Sequence, residues 1–124
     1  MTSILVVDDR ADIRLSLVVL LEDNGFSVIE ADNPQTAQIA IKQSSISLIL
    51  LDMNFSLDTT SGDEGIQFLS WLKSSNISIP VIAMTAWSNI EIVIQAMKLG
   101  ANDFIEKPWK NKHLLHIVHQ QLAL

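Results

Sequence analysis

Short apolar runs alternate with helix-patterned stretches five times along the chain, and this rhythm limits the possible folds more than any other feature of the sequence. "SILVV", "FSVIEA", "ISLILLD", "VIAMT" and "NDFIEK" have the length and side chains of strands. "SILVV" is short, β-branched and apolar, which suits burial on both faces of a sheet. The last run is more polar, and is expected near a sheet edge.

The intervening stretches read as helices. "RADIRLSLVVLLEDNG" spaces Ile13, Leu17, Leu20 and Asn24 helically and closes on Gly25. In "DNPQTAQIAIKQ", Asn33 can cap and Pro34 suits the first helical position. Ser61 to Glu64, "SGDE", has the form of a capping box, so a third helix should begin near Gly62 and turn Ile66, Leu69 and Leu72 inward. "SNIEIVIQAMKLG" sets Ile90, Val93, Ile94 and Met97 on one face and ends at Gly100, and the final helix carries Leu114, Ile117, Val118 and Leu122. Strands alternating with crossover helices imply an α/β fold, a parallel sheet with helices on both faces and right-handed connections.

The 124 residues suit one domain, 1–124, able to bury a single core. With 48% apolar and 18% charged residues the chain lies outside the disordered range. No cysteine is present, which excludes disulfides and thiolate metal sites and makes a cytoplasmic home the expectation. "MTSILVVDD" lacks the basic lead and long apolar segment of a secretory signal, and no stretch is apolar for long enough to span a membrane. A net charge of −6 without a basic cluster argues against direct nucleic-acid binding by this domain.

In a parallel sheet the carboxyl ends of the strands share one edge, where ligands bind. Asp8, Asp9, Asp52, Thr85 and Lys107 all fall there. Three ionised carboxylates brought together call for a cation, and hard oxygen donors in a small open cluster suit Mg2+ best, with Mn2+ as a substitute. Lys107 would bring the loaded cluster near neutrality. A Lewis acid, a fixed ammonium and a hydroxyl donor are the equipment of phosphoryl transfer, and a carboxylate can be the nucleophile. Asp52, ending the central strand, is the choice for that role.

"ILVVDD", "LILLDMN", "MTAW" and "DFIEKP", in this order and spacing, resemble the receiver domain of two-component response regulators over essentially the whole chain. The resemblance implies a flavodoxin-like (CheY-like) doubly wound sheet of five parallel strands in the order 2-1-3-4-5. It implies that Asp52 is the phosphoacceptor for a sensor histidine kinase or phosphotransfer protein. Asp8, Asp9, Asp52 and the backbone carbonyl of Asn54 would surround the metal, and Thr85 and Lys107 would contact the phosphoryl group. The Lys107–Pro108 bond is expected cis. As a switch, Thr85 would draw toward the phosphoryl group while Phe104 turns inward, reshaping the face made by the fourth helix, fifth strand and fifth helix for an output domain or a second receiver. Phe104 has no hydroxyl, so a hydrogen-bonded form of that switch is excluded.

The stretch "DMNFSLDTTSGDEG" is longer than usual in this family and lacks its proline; with "KPW" it is similar to receivers of NtrC-type activators of sigma-54 transcription. On this reading the chain is either a free-standing receiver or one separated from an output domain. Asn54 and Trp87 border the site and would tune the lifetime of the phosphate.

Blander readings apply elsewhere. His113, His116 and His119 drift by about 60° per step around their helix and form a slanting polar stripe rather than a chelate. Asp63 and Glu64 favour the positive start of the third helix. Ile90, Ile92, Val93 and Ile94 are apolar on more sides than a core can use, which points to a partner surface. The alternative function is a haloacid dehalogenase-like phosphatase, but that chemistry wants an acid where Asn54 stands. A flavodoxin-like ligand binder ranks last, since "VDDRAD" without a metal would repel phosphate.

Overall fold

The computed structural model describes residues 2–53, 63–86 and 90–123. Strand and helix alternate throughout: β1 (Ser3–Val7), α1 (Ala11–Asp23), β2 (Ser27–Ala31), α2 (Pro34–Gln43), β3 (Leu48–Asp52), α3 (Asp63–Ser74), β4 (Val81–Ala86), α4 (Ile90–Lys98), β5 (Asp103–Lys107) and α5 (Asn111–Leu122). All strand pairs are parallel, in the order β2-β1-β3-β4-β5. The expected doubly wound architecture and strand order are therefore present, and the polar β5 is an edge.

Period-two alternation divides the apolar residues of the inner strands between two cores. Leu5, Val7, Ile49, Leu51, Val81 and Ala83 pack with Ala37 of α2, Phe68, Leu69 and Leu72 of α3, and Ile92 and Ala96 of α4. Ile4, Val6, Leu48, Leu50, Ile82 and Met84 pack on the other face with Leu17 and Leu21 of α1 and Leu114, Ile117 and Val118 of α5. Every residue of β3 is buried, which explains why "LILLD" shows no polar alternation.

The helix boundaries follow local chemistry. Asn33 caps α2 by accepting from the Thr36 N–H at 2.8 Å, with Pro34 at its first position. Gly25 and Gly100 take φ values of +88° and +103° just past α1 and α4, a region open to glycine. The capping box cannot be followed, since Ser61 and Gly62 lie outside the described residues.

Two expected faces are corrected. In α4 it is Ile92 and Ala96 that are buried, whereas Ile90, Ile94 and Met97 are exposed, Ile90 by 70%. In α1 the fully buried pair is Leu17 and Leu21, with Ile13 and Leu20 packed beside them. Among the described residues no helix is long and apolar enough to cross a membrane.

Candidate functional site

Asp8 follows directly on β1, and Asp52 and Lys107 are the last residues of β3 and β5. Asp52 shares strand parity with Leu48 and Leu50, and Lys107 with Ile105, so both lie on the α1/α5 side of the sheet. The Lys107 ammonium donates to Asp8 Oδ2 and to Asp52 Oδ1, each at 2.9 Å. The two carboxylates are fully buried, and the lysine side chain is 19% exposed. Asp8 Oδ1 accepts from the Arg10 backbone N–H at 2.9 Å, at the entry to α1.

Asp9 completes the cluster: Asp8, Asp9 and Asp52 each offer a carboxylate oxygen, and these atoms lie within 4.8 Å of one another. Three carboxylates against one ammonium leave two negative charges in excess, the deficit that one divalent cation fills. The donors are hard oxygens, so Mg2+ or Mn2+ fits the residues present. Burial works against the charge on Lys107, but Asp52, and then Asp8, outweigh it and hold the ammonium's pKa above its ordinary value. Lys107 is thus a fixed cation throughout the neutral range.

Thr85 is buried near the end of β4. It lies between Met84, in register with Asp52, and Ala86, in register with Lys107. Phe104 lies on β5 and is 37% exposed. It lines a groove of about 560 Å³ between β5 and α5. A second groove, of about 510 Å³, opens beside Lys107 between α1 and the start of α5, lined by Arg10, Ile13, Ser16, Pro108 and Trp109. The smaller of the two touches the acidic cluster through Lys107, and so it is the one relevant to the chemistry. The Lys107–Pro108 bond is cis, as expected. His113, His116 and His119 are exposed on α5, and they are absent from the metal-competent clusters of the described residues. Asn54 and Trp87 lie outside the described residues.

One participant was not expected. Arg14, in the first turns of α1, donates from Nη1 to the Asp8 carbonyl at 2.6 Å and from Nε to Glu30 Oε1 at 3.1 Å. A signal did exist in the sequence. Arg14 stands three residues before Leu17 and seven before Leu21, so a long cation belongs to the inward stripe of an otherwise apolar helix face.

The fold and this edge define a class, the doubly wound α/β domains with an acidic cluster at the carboxyl edge of the sheet, and comparison with known proteins gives the family. The model of the response regulator receiver domain matches residues 4–119, and the chain belongs to that family. The phosphate regulon transcriptional regulatory protein PhoB of Escherichia coli (strain K12) is 37% identical over 114 residues, covering 90% of this chain and 48% of PhoB. The nitrogen assimilation regulatory protein NtrX of Azorhizobium caulinodans is 34% identical over 119 residues, covering 96% of this chain and 26% of NtrX. The crystal structure of the receiver domain of NtrX from Brucella abortus superposes with a TM-score of 0.87 at 33% identity, covering 96% of this chain and 97% of that one. The chain thus spans about half, or less, of the length of these curated relatives. The phosphatase alternative finds no support in the family match.

Proposed function

We propose that this receiver is a phosphoacceptor switch in which Asp52 takes a phosphoryl group from a sensor histidine kinase or phosphotransfer protein. The observation that carries this reading is the Lys107 ammonium bridging Asp8 and Asp52 within an acidic cluster at the carboxyl edge of the sheet. A carboxylate oxygen of Asp52 attacks phosphorus, the bond from phosphorus to the donor's imidazole nitrogen breaks, and the imidazole leaves. Asp8, Asp9, Asp52 and the Asn54 carbonyl would hold Mg2+, or Mn2+ in its place. When bound, that ion supplies two positive charges against the acidic cluster and the incoming phosphoryl oxygens. Lys107 exchanges its contact with Asp52 for one with a phosphoryl oxygen, and the Thr85 hydroxyl donates to another. Water later hydrolyses the acyl phosphate and restores Asp52. The chain therefore catalyses only its own phosphorylation and dephosphorylation.

Thr85 and Phe104 would carry the state of Asp52 to the α4, β5 and α5 surface. Ile90, Ile94 and Met97 are exposed on α4, and Phe104 on β5, and they favour an output domain or a second receiver as the partner. The long "DMNFSLDTTSGDEG" stretch and the NtrX relatives favour an NtrC-type output that regulates transcription.

The test is the intact mass after incubation with acetyl phosphate and Mg2+. A gain of one phosphoryl group is expected in the unmutated chain and not in Asp52→Ala. Equal gain in both, or none in either, would remove Asp52 from this role. Turnover of general phosphate esters would favour the phosphatase.

A further inference from the structure

We infer that Arg14 is a positioning residue for the acidic cluster, tying the backbone at Asp8 to Glu30 of β2 and so fixing where the Asp8 and Asp9 carboxylates stand. This deepens the reading of the cluster as a divalent-ion site and rests on it.

The ladder between β1 and β2 has its last rung where the Asp8 N–H donates to the Ala31 carbonyl at 3.1 Å. Beyond it the two chains diverge into α1 and α2. The Asp8 carbonyl accepts instead from Arg14, and the same guanidinium reaches Glu30. Glu30 is in register with Val6, whose side chain lies in the α1/α5 core, so Glu30 and α1 share a face of the sheet. The Arg14 side chain is only 17% exposed, although its acidic partner is half in solvent. A planar fork with several donors can serve a carbonyl and a carboxylate at once, which a single ammonium cannot do in the same geometry.

The bond acts on the site through the peptide plane. The Asp8 carbonyl belongs to the rigid peptide unit that joins Asp8 to Asp9, so holding its oxygen sets the tilt of the link between the two acids. The same segment is held by the Ala31 carbonyl, by the Arg10 N–H on Asp8 Oδ1 and by Lys107 on Asp8 Oδ2. Arg14 alone among these holds the Asp8 carbonyl itself, the oxygen of the peptide unit that leads to Asp9.

Charge and position make opposite demands on this residue. As a cation near a cation site Arg14 disfavours metal, and its removal would tighten binding; as a clamp it favours metal, and its removal would loosen binding. Arg14→Lys keeps the charge and changes only the geometry. Mn2+ affinity of the full chain is read from the electron paramagnetic resonance signal of the free ion, with a circular dichroism melt in EDTA to show that each variant is folded. The expected result is a loss of about tenfold in Arg14→Ala, the lower end of the scale on which supports of metal ligands act, and a smaller loss of about threefold in Arg14→Lys, which keeps the charge and part of the reach. Affinity in Arg14→Lys equal to that of the unmutated chain would overturn the inference, as would tighter binding in Arg14→Ala. Should Arg14→Ala not fold, Arg14→Lys decides alone. If the unmutated chain took up no Mn2+, or Asp9→Asn took it up equally well, the reading of the site would fall and this inference with it. Binding by the unmutated chain that Arg14→Lys matches would overturn the clamp alone.

Discussion

Replacing Lys107 by alanine leaves Asp8 and Asp52 buried and facing each other without their shared cation. Each contact at 2.9 Å has a gross attraction of about 6 kcal/mol at an effective dielectric of about 20. Most of that is spent on desolvating the three groups. The relevant quantity is thus the cost of removing one partner, about 3–5 kcal/mol for a fully buried pair. The lysine side chain is 19% exposed, so water entering the vacated space screens part of the repulsion and moves the loss to about 2–3 kcal/mol. With about 2.1 cal/mol/K of unfolding entropy per residue, a chain of 124 residues loses about 4 °C per kcal/mol, hence roughly 8–12 °C. The assay is thermal melting followed by circular dichroism, with EDTA and with Mg2+. The ion should narrow the gap, because the cluster without Lys107 gains more from a divalent cation. A Lys107→Ala variant melting within about 2 °C of the parent in EDTA would refute the argument, and so would a gap unaffected by Mg2+.

The Lys107 pKa is raised in the folded state, so its stabilising contribution is complete below the ordinary lysine value of 10.5 and is lost as pH climbs through the higher folded value. In EDTA the stability difference between the parent and Lys107→Ala should accordingly hold level from about pH 7 to pH 9 and shrink only in stronger alkali, measured by urea unfolding. Asn33→Ala removes the cap on the Thr36 N–H and should cost about 1 kcal/mol in the same assay without changing phosphorylation of Asp52. Ile94→Asp alters an exposed position on α4, so the melting temperature should stay close to the parent's. Phosphate-driven association should weaken by about tenfold or more, because a charge buried in an apolar contact loses hydration without gaining a partner. Unchanged dimerisation in sedimentation would count against that surface.

Much of this arrangement is legible in the sequence because a parallel strand advertises both its burial and its end. Val7, Leu51 and Ile105 are each followed within two residues by a group that cannot remain in the core, and the strand rule sends all of these to one edge. Asn33 and Gly25 are legible for a similar reason, since each satisfies a local backbone demand independent of tertiary context. The inward face of α4 is not legible. Ile90, Ile92, Val93 and Ile94 satisfy several faces of a helix equally, and periodicity gives no weight to Ala96, a small residue that the close approach to the sheet selects. In α1 the choice between Leu20 and Leu21 is not legible either, because "LVVLL" is apolar all round. Arg14 is legible only as a cation on the inward stripe of α1; its partners, the Asp8 carbonyl and Glu30, are not, because a backbone carbonyl carries no sequence signature and Glu30 lies sixteen residues away.

The ammonium that closes the acidic edge comes from the last strand, 99 residues after the first carboxylate it touches. The charge balance of that edge is for that reason a property of the completed sheet. A ribosome-bound chain halted before β5 would present its acids without this counter-charge.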